Sequence, residues 1–171
     1  MGRALLAGAI LAAASCGGSP VSPSVPAPVP PPGTVTLESG PYTLAIVFSR
    51  TGRPTCQDGF CTSMSLCIGN PSPTKSAFNV AVERSGGRAT VHVPGGVSSL
   101  VLSLEIAPAL VTGMISGSAR DTHGVVIEAS GTVSGAAPSN APVVSGYIDG
   151  QLAVAGGSCS NNGHTWSLTP R

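Results

Sequence analysis

Asp121-Thr122-His123 sets a carboxylate two residues from an imidazole, the kind of pair that orients a general base in a hydrolase. Such a base needs a nucleophile within reach. The chain is rich in serine, yet no serine stands in the strand–turn–helix context of a nucleophile elbow. The commoner use of Asp in such a tripeptide is a polar hairpin turn, where its side chain bonds to the backbone. Cys56, Cys61, Cys67 and Cys159 could serve as zinc ligands or as two disulfides. Their C-x₄-C and C-x₅-C spacings are loose for zinc, and an even number of cysteines in an exported domain predicts two bridges with three connectivities. Glycines are frequent but open no helix, so no phosphate-binding loop is read. No residue is assigned a catalytic or metal-binding role, no cofactor is expected, and His92 is read as a surface residue.

The elements that must position these residues read as strands. Apolar residues alternate with polar ones over 42–49, 76–84, 88–94, 99–106, 111–119, 125–135, 143–154 and 164–168. One apolar face and one rich in Ser, Thr and Glu is the signature of a half-buried antiparallel sheet. Turn-forming residues stand at Ser85-Gly86-Gly87, Gly95-Gly96, Asp121–Gly124, Asn140-Ala141-Pro142 and Asn162-Gly163. The prediction is an all-β domain over 41–171, an eight-stranded antiparallel up-and-down barrel clamped by disulfides at one end. A two-sheet β-sandwich is the alternative. Closure is favoured because no strand shows obvious edge protection.

Between strands one and two, "DGFCTSMSLCIGNP" is ambiguous. Phe60, Met64 and Cys67 fit a helical spacing, whereas Met64, Leu66 and Ile68 alternate as a strand would. A short helix or irregular plug over the barrel mouth is the preferred reading.

If strand one runs toward an end designated A, the end-A loops are 50–75, 95–98, 120–124 and 156–163. All four cysteines then gather there. So do Arg50, Arg53, Arg120, Asp121, His123, Asn161, Asn162 and His164, which make up a candidate binding face. Three consecutive strands repeat G-x-(I/V)-x-G. Parity turns Gly113, Gly117, Gly131, Gly135, Gly146 and Gly150 inward. The structural explanation is tight coiling, or room for large side chains such as Trp166. The functional alternative is a ligand cavity.

The amino terminus is different in kind. Arg3 precedes the apolar run "ALLAGAILAAA", which as a helix would span roughly 16 Å, about half of a bilayer core. It reads as a signal peptide over 1–15. Ala13-Ala14-Ser15-Cys16 resembles the lipobox of bacterial lipoproteins, with Ala13 where that pattern has a large aliphatic. The resemblance implies acylation of Cys16, cleavage before it and anchoring in a membrane. Gly17 after the cysteine, by the same resemblance, implies the outer membrane. Plain secretion, or release to the periplasm, is the alternative. Residues 16–40 form a linker whose proline-rich part, 19–33, favours polyproline II and extends ~45 Å.

"CIGNPSPTKSAFNVAV" with the closing "CSNNGHTWSLTPR" is similar to a pattern in uncharacterised exported bacterial β-barrel lipoproteins. That resemblance implies no activity. It does favour Cys67 paired with Cys159, which leaves Cys56 for Cys61.

Charged residues are 9% of the 171, and the net charge of +1 comes from seven arginines, Lys75 and seven acids. Such a balance excludes the clustered positive face that nucleic acid requires. The predicted function is a lipid-anchored envelope protein whose barrel binds an envelope protein or glycan through end A or its Ser/Thr wall. The alternative is a carrier of a small apolar ligand or lipid inside the barrel. A hydrolase is the least supported reading.

Overall fold

The computed structural model describes residues 37–57, 60–72, 74–94, 98–136 and 143–171. The signal peptide, Cys16, the proline-rich segment, and the turns at Gly95-Gly96 and Asn140-Ala141-Pro142 lie outside the described residues. The strands in chain order are β1 (Gly40–Val47), β2 (Thr55–Gln57), β3 (Phe60–Thr62), β4 (Ser65–Gly69), β5 (Lys75–Ser85) and β6 (Arg88–His92), then β7 (Val101–Ile106), β8 (Val111–Arg120), β9 (Val126–Ala136), β10 (Val144–Val154) and β11 (Gly157–Pro170). β1 pairs with β5, each strand from β5 to β11 pairs antiparallel with the next, and β11 returns to β1. The result is a closed eight-stranded meander barrel, so the sandwich alternative is set aside.

The alternation read from the sequence decides which way each side chain points. Phe78, Val80 and Val82 of β5, Leu102 and Leu104 of β7, and Ile148 and Leu152 of β10 are all buried, and so is Trp166 of β11. Their neighbours along each strand face outward. Burial of these alternate residues is the main stabilising term for each strand. The outer wall carries Ser103, Thr112, Ser116, Ser130 and Thr132. Apolar inside and polar outside is the inverse of a barrel that spans a membrane, which needs an outward apolar band.

The six glycines face inward as parity requires, and what surrounds them favours the coiling explanation. Gly131 stands opposite Gly150, and Gly135 opposite Gly146. A Cβ at Gly113, Gly131, Gly146 or Gly150 would run into a carbonyl oxygen of the adjacent strand, and one at Gly117 into that of Ser99 just before β7. Strands β7 to β10 therefore curve more tightly than a wall with side chains at those points allows. Gly117 also has φ +106°, a conformation that L side chains rarely adopt. The indole of Trp166 lies against Gly135, where an added Cβ would come 2.9 Å from its ring. Leu44, Ile46, Phe78, Leu102, Ile115, Ile127, Trp166 and Leu168 are at most 2% exposed. They fill the lumen from wall to wall.

Two expectations are corrected. Residues 156–163 were expected as a loop. Residues 157–163 open β11, which turns directly out of β10 through Ala155-Gly156, with Gly156 at φ +88°. The composition Ser-Cys-Ser-Asn-Asn-Gly has weak strand propensity, and pairing with β10 on one side and β4 on the other overrides it. Asn162-Gly163, expected as a turn, is a β-bulge. Ile148 pairs with His164 and Gly150 with Asn161, so two residues of β11 oppose Asp149 alone. The bulge shifts parity, which turns Cys159 and Asn161 inward on one side of it and His164, Trp166 and Leu168 on the other.

The second correction concerns the segment expected as a helix or plug. It holds β3, which pairs with β2 just before it, and the strand β4. β4 lies along Gly157–Asn161 of β11, and β1 lies along Thr165–Pro170 of the same edge. β4 thus continues the line of β1 past the barrel mouth, after an excursion through 48–64.

Candidate functional site

End A is built around the bulge. Beyond Phe48 the chain leaves the wall, and three polar side chains of β11 hold it. Asn161 donates its amide to the Ser49 carbonyl (2.9 Å) and to Ser65 Oγ (3.0 Å), while its Oδ1 accepts from the Gly163 N–H (2.8 Å). Asn162 Oδ1 accepts from the Arg53 N–H at 2.6 Å, and its carbonyl accepts from Arg53 Nε at 2.9 Å. His164 Nδ1 accepts from the Ser49 N–H at 3.0 Å, so Nε2 carries the proton and donates to the Cys159 carbonyl at 3.1 Å. This assigns the neutral Nε2–H tautomer. Phe48 meets the imidazole edge-on at 5.6 Å. Burial lowers the His164 pKa below its ordinary value, a shift only partly opposed by the bond to the Cys159 carbonyl.

His164 and Asn161 are therefore corrected as members of a binding face. Both are buried, and their polar atoms satisfy the backbone of the excursion. These two polar side chains are the inner fastening of the end rather than its contact surface.

Arg120, Asp121 and His123 form a separate group at the β8–β9 turn. Asp121 Oδ1 accepts the N–H groups of His123 (2.8 Å) and Val125 (2.9 Å), and the Thr122 N–H docks on the Ala77 carbonyl of β5 (2.9 Å). Burial by itself would raise the Asp121 pKa. The bonds from Val125 and His123, the nearby Ser76 hydroxyl and the His123 charge outweigh it, and the net shift is downward. Asp121 Oδ2 and Ser76 Oγ are both buried. His123 is largely exposed, with Nδ1 3.8 Å from Asp121 Oδ2, too far for the hydrogen bond an orienting acid makes. Asp121 is thus a turn-forming carboxylate and not a contact residue. Arg120 bonds the Gly124 carbonyl across the same turn. Arg50, Arg53 and His123 remain on the outside of end A.

The signal that residue chemistry missed is apolar. Met64, Leu66 and Ile68 are 83%, 69% and 67% exposed, and Phe60 of β3 is 80% exposed. The first three alternate along β4 and its lead-in, so they share its outer face. Ser65 and Cys67 point the other way, the former bonded to the Arg50 carbonyl at 2.7 Å. Their alternation was visible in the sequence. Its meaning was not, because alternation shows that a strand has two faces and not which face is covered.

Disulfides Cys67–Cys159 and Cys56–Cys61 fix this region, in the pairing that the lipoprotein resemblance favoured. Each joins residues directly opposite on adjacent strands. On the face of β4 opposite the ridge, Arg50 spans the strand. Its carbonyl is at Ser65, and its guanidinium donates to Asn70 Oδ1 at 2.8 Å. The Arg53 guanidinium stacks on the Tyr147 ring, 3.8 Å from its centroid.

The Ser/Thr wall carries a shallow groove of about 940 Å³ over β6–β9, lined by Thr90, Ser103, Thr112, Met114 and Thr132 among others. Among the described residues no three His, Cys, Asp or Glu side chains converge as a metal site would need. Comparison with protein-family models, with curated proteins and with solved structures returns no match for this chain.

Proposed function

We propose that this chain is a non-catalytic binding module of the cell envelope that engages a protein partner through the apolar ridge at end A. One observation carries the reading. Four large apolar side chains, Phe60, Met64, Leu66 and Ile68, stand 67–83% exposed on one short segment. They are the most exposed large apolar side chains among the described residues, and clustered exposed apolar surface marks an interaction site. A disulfide ties that segment to β11, which reduces the ordering cost of binding.

The placement suits a tethered receptor. The chain enters the barrel at Gly40, at the end opposite the ridge. Acylation of Cys16 would put the membrane on that side, and residues 19–33 would hold the ridge away from it. Two disulfides accord with an exported, oxidising setting. The carrier alternative has less support, because inward side chains occupy the lumen where its ligand would sit.

The test is a photo-cross-linking residue placed at Leu66 and, separately, at Thr132 on the polar wall, in cells that make the protein. A discrete adduct from Leu66 and none from Thr132 is expected. Equal labelling at both positions, or none at either, overturns the reading.

A further inference from the structure

β4 is the end strand of its sheet. β11 pairs with one side of it, and among the described residues no strand pairs with the other side. Natural edge strands are guarded by charges, proline, bulges or a covering segment. No charged residue occurs from Phe60 through Thr74, and Ser65–Gly69 holds neither proline nor bulge. The strand cannot curl away, because Cys67 is bonded to Cys159 at its centre. An edge with no charge, proline or bulge of its own, held rigid beside an exposed apolar row, is a template for another strand.

Charge indicates which strand. Arg50 runs along β4 from Ser65 to Asn70, whereas the Arg53 guanidinium lies over Tyr147 of β10, across β11 from β4. Among the described residues neither makes an ion pair with a carboxylate. A second copy docking edge to edge would bring the two Arg50 side chains together, which disfavours self-association. A partner with a carboxylate beside its apolar run would neutralise Arg50.

We propose that the free edge of β4 takes up an extended segment of a partner protein by strand addition, the segment being apolar at alternate positions and flanked by a carboxylate. Main-chain bonds to 65–69 supply the pairing. Leu66 and Ile68 supply the same-face contacts, and Arg50 selects the acidic flank. This deepens the reading of the ridge as the docking surface and rests on it.

The test uses the disulfide-intact protein and three synthetic peptides. The first alternates Val and Thr over seven residues with Glu at both ends. The second has Lys at the ends instead. The third is the first with alternate amides N-methylated, so that it cannot complete a ladder. Binding of the first with slowed hydrogen exchange at 65–69 is expected, with at least tenfold weaker binding of the second and third. Leu66→Lys should weaken the first at least tenfold while leaving the melting temperature unchanged. Equal binding of the N-methylated peptide, no binding of the first peptide, or a dimer of the protein alone through this edge overturns strand addition. The ridge reading fails separately, by loss of the Leu66 cross-link, so the two failures are distinguishable.

Discussion

The imidazole of His164 holds the backbone of Ser49, 115 residues earlier, through a bond from the Ser49 N–H to Nδ1 at 3.0 Å. Only the neutral ring can accept there while donating from Nε2 to the Cys159 carbonyl. One buried side chain thus joins the root of the excursion to the strand that carries its disulfide.

That arrangement predicts a pH dependence with a definite sign. The folded pKa of His164 lies below its ordinary 6.5. The unfolded chain therefore binds a proton first as the pH falls, and stability declines from about pH 6.5 downward to the depressed folded value. Asp121 has a folded pKa below its ordinary 3.8. Its contribution is present above 3.8 and is lost only as the pH falls through the lower folded value. Urea unfolding between pH 8 and pH 5 should show a falling midpoint, and His164→Gln should flatten that fall while lowering the midpoint at pH 8. An unchanged slope in the variant would show that another group titrates.

The two disulfides should differ in what they stabilise. Cys67–Cys159 closes a separation of 92 residues, for which chain entropy predicts about 4–5 kcal/mol. Cys56–Cys61 closes a separation of 5, for which the same relation predicts about 2 kcal/mol. Its hairpin pairs only with itself, so the smaller effect should be local. Replacing Cys67 and Cys159 together by Ser should lower the unfolding midpoint strongly. The Cys56→Ser, Cys61→Ser pair should leave the midpoint nearly unchanged and expose residues 55–62 to protease.

The barrel was legible because its alternation is long and its turns are marked. Strand β5 was expected over 76–84 and spans Lys75–Ser85. What escaped was decided by pairing and not by pattern. Ser158 to Gly163 shows no apolar alternation, Cys159 being its single apolar side chain, and only its two neighbouring strands make it β. His164 and Asn161 looked like a surface because their types are polar, yet the bulge turns both inward. The exposed ridge was read as a plug because buried and exposed apolar rows look alike in one dimension.

The glycine wall yields a graded test. A Cβ at Gly135 would lie 2.7 Å from the Ser145 carbonyl and 2.9 Å from the Trp166 ring, whereas at Gly87 the nearest atom, the Ile106 carbonyl, is 3.6 Å away. Gly135→Ala should cost about 1–3 kcal/mol, the usual range for overpacking, and should alter the near-UV signal of Trp166. Gly87→Ala should be neutral. Equal tolerance of both would mean that the wall relaxes and that Trp166 does not depend on Gly135 for its seat.

The ridge makes the opposite prediction from the core. Leu66 and Ile68 are about two-thirds exposed, so the fold gains little from burying them and should lose little without them. The double variant Leu66→Asp, Ile68→Asp should change stability by no more than about 0.5 kcal/mol per site, the range of surface substitutions. It should also reduce binding of a hydrophobic dye. Leu102→Ala, at a wholly buried position, should cost about 2–5 kcal/mol. If the aspartates cost as much as the core truncation, β4 packs against a surface of its own chain, and the apolar row exists for folding and not for a partner. If they cost nothing and dye binding falls, the row is apolar for a reason outside the fold, as a docking edge requires.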